Sequence, residues 1–204
     1  MKLPAFAQKM LGRSGKAPAL RSFDGAGAGR RWSGFADMPS AIASMLASGG
    51  TLGRRGRGLV ANNGHAASGA EAWTSALVGT GLKVQAQRPG VAQSFEAWTD
   101  EADADGLTDF YGLQATMARS MVVSGEAFAL ILPNGQIRQI DPEQVDRNLT
   151  QATAAGGRIV QGVEFDAAGR KIAFHIRRDQ PGMPLAVSYE VVRVPADRCI
   201  HMFR

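Results

Sequence analysis

Residues 108–142, TDFYGLQATMARSMVVSGEAFALILPNGQIRQIDP, constrain this chain more than any other stretch. Phe110, Leu113, Met117, Ala118, Met121 and Val122 recur at helical spacing, with Asp109, Gly112, Thr116, Arg119 and Ser120 on the opposite face. Thr108 suits the N-cap, and Asp109 then falls in the first turn, where the helix dipole favours an anion. Gly125 is placed to end the helix in a left-handed conformation. The short apolar run 127–132, the Asn134-Gly135 turn signal and the alternating run 136–140 together predict a β-hairpin. Asp141-Pro142 then predicts a turn or a short helix start. Nothing in this stretch is chemically poised, so it reads as scaffold.

Helices are expected before it. Residues 40–47 predict one, stopped at Gly49-Gly50, and residues 51–61 predict a second, broken by Asn62-Asn63-Gly64. A third is expected over 65–78, with Ala66, Ala70, Trp73 and Leu77 as its apolar stripe and Gly79 at its end. Residues 82–87 alternate and predict a strand, and Ser94 is placed to cap a short helix carrying Phe95, Ala97, Trp98 and Ala102.

After it the chain turns to strands. These are expected over 158–165, 171–177, 189–194 and 198–203, with turns at 166–169 and 195–197 and a Pro- and Gly-containing loop at 179–188. Helices first and antiparallel strands and hairpins later imply an α+β fold, not an alternating α/β one.

Charge divides the chain differently. Up to Gly58 there are ten basic residues and only two acidic ones, a net +8, so the remainder carries −3 of the overall +5. Residues 1–36 are therefore expected to be a basic, flexible arm, within which residues 2–11 form a basic amphipathic segment, and residues 37–204 the α+β domain. The arm attracts polyanions or an acidic partner surface. Arg54, Arg55 and Arg57, on one predicted helix, are the candidate contacts to phosphate or to an acidic partner, against the plain reading of a solvated face. The apolar run at residues 1–11 is too short for a signal peptide, and no stretch approaches the ~20 apolar residues of a membrane span. With one cysteine, no intramolecular disulfide is possible. A soluble chain in a reducing compartment, without membrane association, is expected.

No catalytic or cofactor constellation stands out. Glu101, Asp103, Asp105, Gly106 and Asp109 imitate a calcium loop, but the required twelfth-position acid is Gly112. Asp197, Cys199 and His201 are expected on one face of a strand, with His175 on another strand. No CxxC or HExxH spacing accompanies them, so packing is the better reading than metal binding or Cys-His catalysis. Glu126, at a helix–strand junction, reads as a solvent or edge position. The chain also lacks a P-loop, a dinucleotide loop and a G-x-S-x-G elbow. Neither enzymatic activity nor any metal or cofactor is expected.

Seven segments in order resemble one known family. They are RRGRGLVANN (54–63), LVGTGLKVQAQ (77–87), FEAWTDEADADGLTDFYGLQ (95–114), SGEAFALI (124–131), IDPEQV (140–145), GVEFDAAGRKIAFHI (162–176) and VPADRCIHMFR (194–204). Together they resemble the lambda-type portal proteins of tailed bacteriophages over about residues 39–204. One departure lies at His201, flanked by Ile200 and Met202 where the family usually has a second histidine or a similar pairing. The resemblance implies a structural, non-enzymatic subunit of a ring, usually of twelve copies, at one vertex of a virion capsid. Such a ring nucleates the capsid in the bacterial host cytoplasm, seats the terminase, passes double-stranded DNA and binds head-tail connector proteins. It also implies that this stretch is the wing-like region, with the stem, clip and crown beyond Arg204, so a stable ring from this stretch alone is not expected. The alternative is a small basic protein that binds nucleic acid without sequence preference.

Overall fold

The structure, a computed structural model, describes residues 40–85, 87–179 and 190–203. The expected basic arm at 1–36, with its segment at 2–11, and most of the loop expected at 179–188 lie outside them. The chain divides into two compact units, Met1–Leu52 and Gly53–Arg204. Of the first, the described part is residues 40–52, which begin α1 (Ala41–Asn62).

α1 is a single helix of 22 residues, which corrects the expected break at Gly49-Gly50. Glycine weakens a helix interior by about 1 kcal/mol relative to alanine, but it stops one only where the chain turns left-handed. Gly49 and Gly50 both keep helical geometry. Asn63 then ends the run and caps α2 (Gly64–Val78), its side chain accepting from the backbone N–H groups of His65 and Ala66. α2 buries Ala70 of the expected stripe together with Thr74, whereas Trp73 and Leu77 of that stripe are exposed. The helix packs along α4 (Phe110–Ser124), and small residues at the contact permit a close approach that a tryptophan would block.

The expected strand at 82–87 does not form among the described residues. Alternation makes a strand only when an edge is there to pair with, and the described segment is held instead by one bond, Leu82 N–H to Gln114 Oε1 at 3.0 Å. α3 (Pro89–Asp100) begins five residues before the expected Ser94 cap. Proline in the first turn starts it, because its fixed φ and missing N–H suit that position. Ser94 lies inside the helix and donates its hydroxyl to Gly90 O at 2.8 Å. Phe95, Trp98 and Phe110 form an aromatic cluster where α3 meets α4, with Trp98 and Phe110 centroids 5.0 Å apart.

α4 is capped by Asp109 in place of Thr108: Asp109 Oδ1 accepts from Gly112 N at 2.7 Å. Thr108 instead lies over Gly112, where an added Cβ would meet its hydroxyl at 1.7 Å. Gly125 closes the helix at φ 88°, as expected. The hairpin β1 (Glu126–Ile131) and β2 (Ile137–Ile140) follows with Phe128 opposite Ile140. Asp141 and Gln144 form a capping box around the 3₁₀ turn Pro142–Gln144.

The remaining strands are β3 (Gln151–Ala152), β4 (Arg158–Val160), β5 (Val163–Phe165), β6 (Lys171–Arg177), β7 (Val191–Pro195) and β8 (Cys199–Phe203). The single strand expected over 158–165 is two strands, because Gln161 (φ 48°) and Gly162 (φ 79°) turn the chain between them. Alternation runs through this two-residue turn unbroken and hides it. Asp197 sits in the 3₁₀ turn Ala196–Arg198, in keeping with the turn expected at 195–197 and off the strand face that Cys199 and His201 share. All pairing within the two sheets is antiparallel, in the orders β2-β1-β8 and β3-β4-β5-β6-β7. Helices followed by antiparallel strands give the α+β class.

β1 positions the layers. Its Ala127 and Ala129 face α4 with Met117, beside Ile137, Ile200 and Met202. Its Phe128 packs the other way with Ile140, Val145, Phe174 and Ile176, against the five-stranded sheet. Small residues on one face and an aromatic on the other let one strand serve two cores.

Candidate functional site

The candidate arginines lie on the second half of α1. That half rests on the C-terminal end of α4 through glycine: a Cβ on Gly56 would stand 2.3 Å from Val123 O, and one on Gly53 would stand 3.5 Å from Ser124 O. The close approach delivers Arg57 to the end of α4 and to the 3₁₀ turn after β2. Its guanidinium hydrogen-bonds Ser124 Oγ at 3.3 Å and forms an ion pair with Glu143. Arg54 reaches the same carboxylate at 3.9 Å while remaining 61% exposed. Arg55 points elsewhere: it is exposed and makes no ion pair among the described residues. Two of the three arginines thus share one internal acid, and Arg55 has no such acid among the described residues.

Beside Arg57 lies a cleft of about 290 Å³, edged by Thr116, Arg119, Ser120, Gln139 and Asp141. Its second cation, Arg119, is held by Glu71 at 2.8 Å. A phosphate entering there would compete with Glu143 and Glu71, so the cleft is a poor anion site in this arrangement.

The residues weighed for catalysis are occupied structurally. Cys199 and His201 do share a face of β8, opposite Leu130 and Phe128 of β1. Burial pushes the Cys199 thiol up to about 11, which keeps it protonated and un-nucleophilic near neutral pH. His201 stacks on Phe128 with centroids 4.1 Å apart and places Nε2 3.3 Å from Glu126 Oε2. Burial by itself raises Glu126, but bonding to His201 and pairing with Arg147 outweigh it and hold the carboxyl below its ordinary range. This corrects the reading of Glu126 as a solvent or edge position. His175 sits apart, 3.0 Å from Glu164, which also takes a two-pronged bond from Arg193 at 2.7 and 3.1 Å. The Arg193 bonds, with His175, hold Glu164 below its ordinary range against the effect of burial.

The calcium-like loop is closed by its own backbone. Asp103, buried, accepts from the N–H groups of Asp105, Leu107 and Thr108 at 3.1, 2.8 and 3.0 Å. Burial opposes ionisation there, yet these three bonds and nearby Arg138 leave the carboxyl below its usual range. Among the described residues no three His, Cys, Asp or Glu side chains converge as a metal site would need.

Sequence reasoning located the arginines but not their partner. Glu143 is remote in the chain, and the only local hint was the Asp-Pro-Glu turn that presents it. Among the described residues no helix is long and apolar enough to cross a membrane. A family model described as phage portal protein, lambda family, matches residues 28–204. No curated protein matches the chain.

Proposed function

We propose, since the chain belongs to the lambda family of phage portal proteins, that it works at the capsid vertex as a subunit of the ring through which double-stranded DNA enters and leaves. Membership itself gives the general role: a portal protein, of a family that is structural and non-enzymatic and that assembles as an oligomeric ring with capsid-related partners. The finer reading is that the described domain is wing-like, that the ring has about twelve subunits as the family resemblance implies, and that terminase and head-tail connectors dock on it. The basic first quarter would contact DNA without sequence preference, mainly through phosphate charge.

The observation that carries this reading is the match of one family model across residues 28–204, nearly the whole chain. The geometry is compatible with it. The polar side chains weighed for chemistry are spent on internal bonds: Asp103 on backbone amides, Glu143 on Arg57, Glu126 on Arg147 and His201. Such an arrangement stiffens a scaffold and leaves little for turnover.

The test is location. The chain, epitope-tagged and expressed with its neighbouring genes, should appear in purified particles as gold label at one vertex of each capsid. Label spread evenly over the shell, or protein found only in the soluble fraction bound to DNA, refutes the reading and favours the small nucleic-acid-binding protein.

A further inference from the structure

Three features of the second unit go against local rules and find no compensation within one copy. α3 carries Asp100 as its last residue and Glu101 as its C-cap, with no basic residue in its last turn. Negative charge at that end opposes the helix dipole, which favours a cation there. Gly58 lies inside α1, where glycine is a poor helix former, and nothing stands within 4 Å of the Cβ it lacks, so no neighbour in the same copy requires it. Leu59 beside it is 57% exposed. These features fall on two matching faces. Arg55, Gly58, Leu59 and Asn62 of α1 recur at i, i+3, i+4 and i+7, as do Gln93, Glu96, Ala97 and Asp100 of α3, and all are exposed. Arg55 has no ion pair among the described residues, and neither have Glu96, Asp100 and Glu101. The two faces cannot meet in one copy. α1 lies on Val123 and Ser124 at the C-terminal end of α4, whereas α3 turns Phe95 and Trp98 to Phe110 at its N-terminal end. The 15 residues of α4 hold them about 20 Å apart, well beyond the ~8 Å over which exposed charges act in physiological salt.

We propose that the α3 face of one copy of this chain docks on the α1 face of the next, with Arg55 reaching Glu96 and Asp100, and Leu59 lying over Ala97 beside Gly58. The inference rests on the ring-forming reading above and names the contact that would serve it. Charge complementarity selects a second copy as the occupant: the α1 face calls for acids, the α3 face calls for cations, and each copy offers both. An arginine brought to the C-terminal end of α3 offsets its dipole, which no residue of the same helix does. Small residues let helix axes approach closely, which gives Gly58 and Ala97 a use that one copy does not supply. Two different faces that meet give a head-to-tail contact, the kind that closes into rings. One helix laid on one helix is smaller than the ~1,000 Å² of a stable interface, so the contact alone is weak and salt weakens it further. Arg55 of a dilute chain therefore stays free to meet DNA.

Charge exchange in the full chain tests the contact. Arg55→Glu, and separately Glu96→Lys with Asp100→Lys, should each weaken self-association about fivefold to thirtyfold in sedimentation equilibrium at low salt. All three positions are exposed, so folding is not at risk. An equimolar mixture of the two variant chains should associate again, because each then carries the charge the other lacks. Gly58→Ala should melt higher yet associate more weakly, a split that a glycine without a partner would not give. Leu59→Cys combined with Ala97→Cys, oxidised with copper-phenanthroline, should give a ladder of dimer, trimer and higher species on non-reducing gels, while either alone gives none. Oligomers that ignore the charge variants, with no ladder, leave ring assembly standing and refute this contact. A chain that is monomeric at about 100 μM and gives no ladder refutes it as well, while the label at the capsid vertex decides the wider reading separately. A cross-linked dimer with nothing larger shows reciprocal pairing and overturns the head-to-tail order.

Discussion

Replacing Gly56 and Gly58 by alanine, one at a time, separates two roles of glycine on a single helix. Both lie in α1 and both should gain about 1 kcal/mol of helix propensity. At Gly58 nothing stands within 4 Å of the new Cβ, so that gain is kept. At Gly56 the Cβ would stand 2.3 Å from the backbone oxygen of Val123, and ordinary contact begins at 3.4 Å. The obstacle is main chain, so α1 and α4 must part by about 1 Å, an overpacking that costs about 1–3 kcal/mol. Parting them also strains the 3.3 Å bond from Arg57 to Ser124. The expected result is a stabilised Gly58→Ala and a Gly56→Ala that is neutral to destabilised by about 2 kcal/mol, with the two variants differing by about 1–3 kcal/mol. For a chain of this size the difference amounts to a melting-temperature gap of about 2–10 °C. Urea unfolding followed by circular dichroism and tryptophan fluorescence would measure it. If Gly56→Ala is stabilised as much as Gly58→Ala, the close approach of α1 to α4 is not a real constraint and the placement of Arg57 loses its basis.

Three further outcomes follow from the site. Cys199, with its thiol raised to about 11, should react with iodoacetamide far more slowly than a free cysteine at pH 8, its rate climbing about tenfold per pH unit toward pH 11; rapid alkylation at neutral pH would revive a nucleophilic role. Asp103, Glu126 and Glu164 all have lowered folded-state values, so the stability they lend is present above their unfolded values and lost as acid takes the pH below about 4. Asp103→Ala should cost about 1–3 kcal/mol in urea unfolding at pH 7, because three amides lose their acceptor, and an unchanged midpoint would refute the pinned loop. In DNA binding measured against salt, Arg55→Ala should lower the logarithmic slope by about 0.9, whereas Arg57→Ala should leave the slope and lower stability by about 1 kcal/mol, since Glu143 loses the closer of its two arginine partners. The reverse pattern would show that Arg57, not Arg55, meets the phosphates.

What could be read in advance depended on how local the signal was. α4, its glycine cap and the Asn134-Gly135 hairpin each carry their cause within a few residues, and they appear with boundaries off by one or two positions. Gly49-Gly50 misled because glycine stops a helix only where the chain turns left-handed, and both residues there stay helical. The missing strand at 82–85 failed for want of an edge, a fact about other segments. The turn at Gln161-Gly162 was hidden because a two-residue turn leaves the period-2 pattern in phase. At the candidate site the arginines were visible as composition. Their commitment to Glu143 was not, since it needs α1 laid on the end of α4 at a distance that only Gly56 allows.

The sheet order has a temporal consequence. β1 lies between β2, its immediate successor, and β8, which joins it with Glu126 opposite Phe203. On the ribosome, the β1–β2 hairpin can close as soon as it emerges, yet one side of β1 stays open until residue 203 has left the exit tunnel. The strands made in that interval, β3 to β7, pair in consecutive order and fold upon themselves. Their folding draws the exit of β2 and the entrance of β8 together and replaces a long floppy closure with a short one, which lowers the entropic barrier to the final pairing. Until then the open side of β1 is the edge of a nascent chain most exposed to wrong partners. The speed of that meander sets how long each chain is open to misassembly.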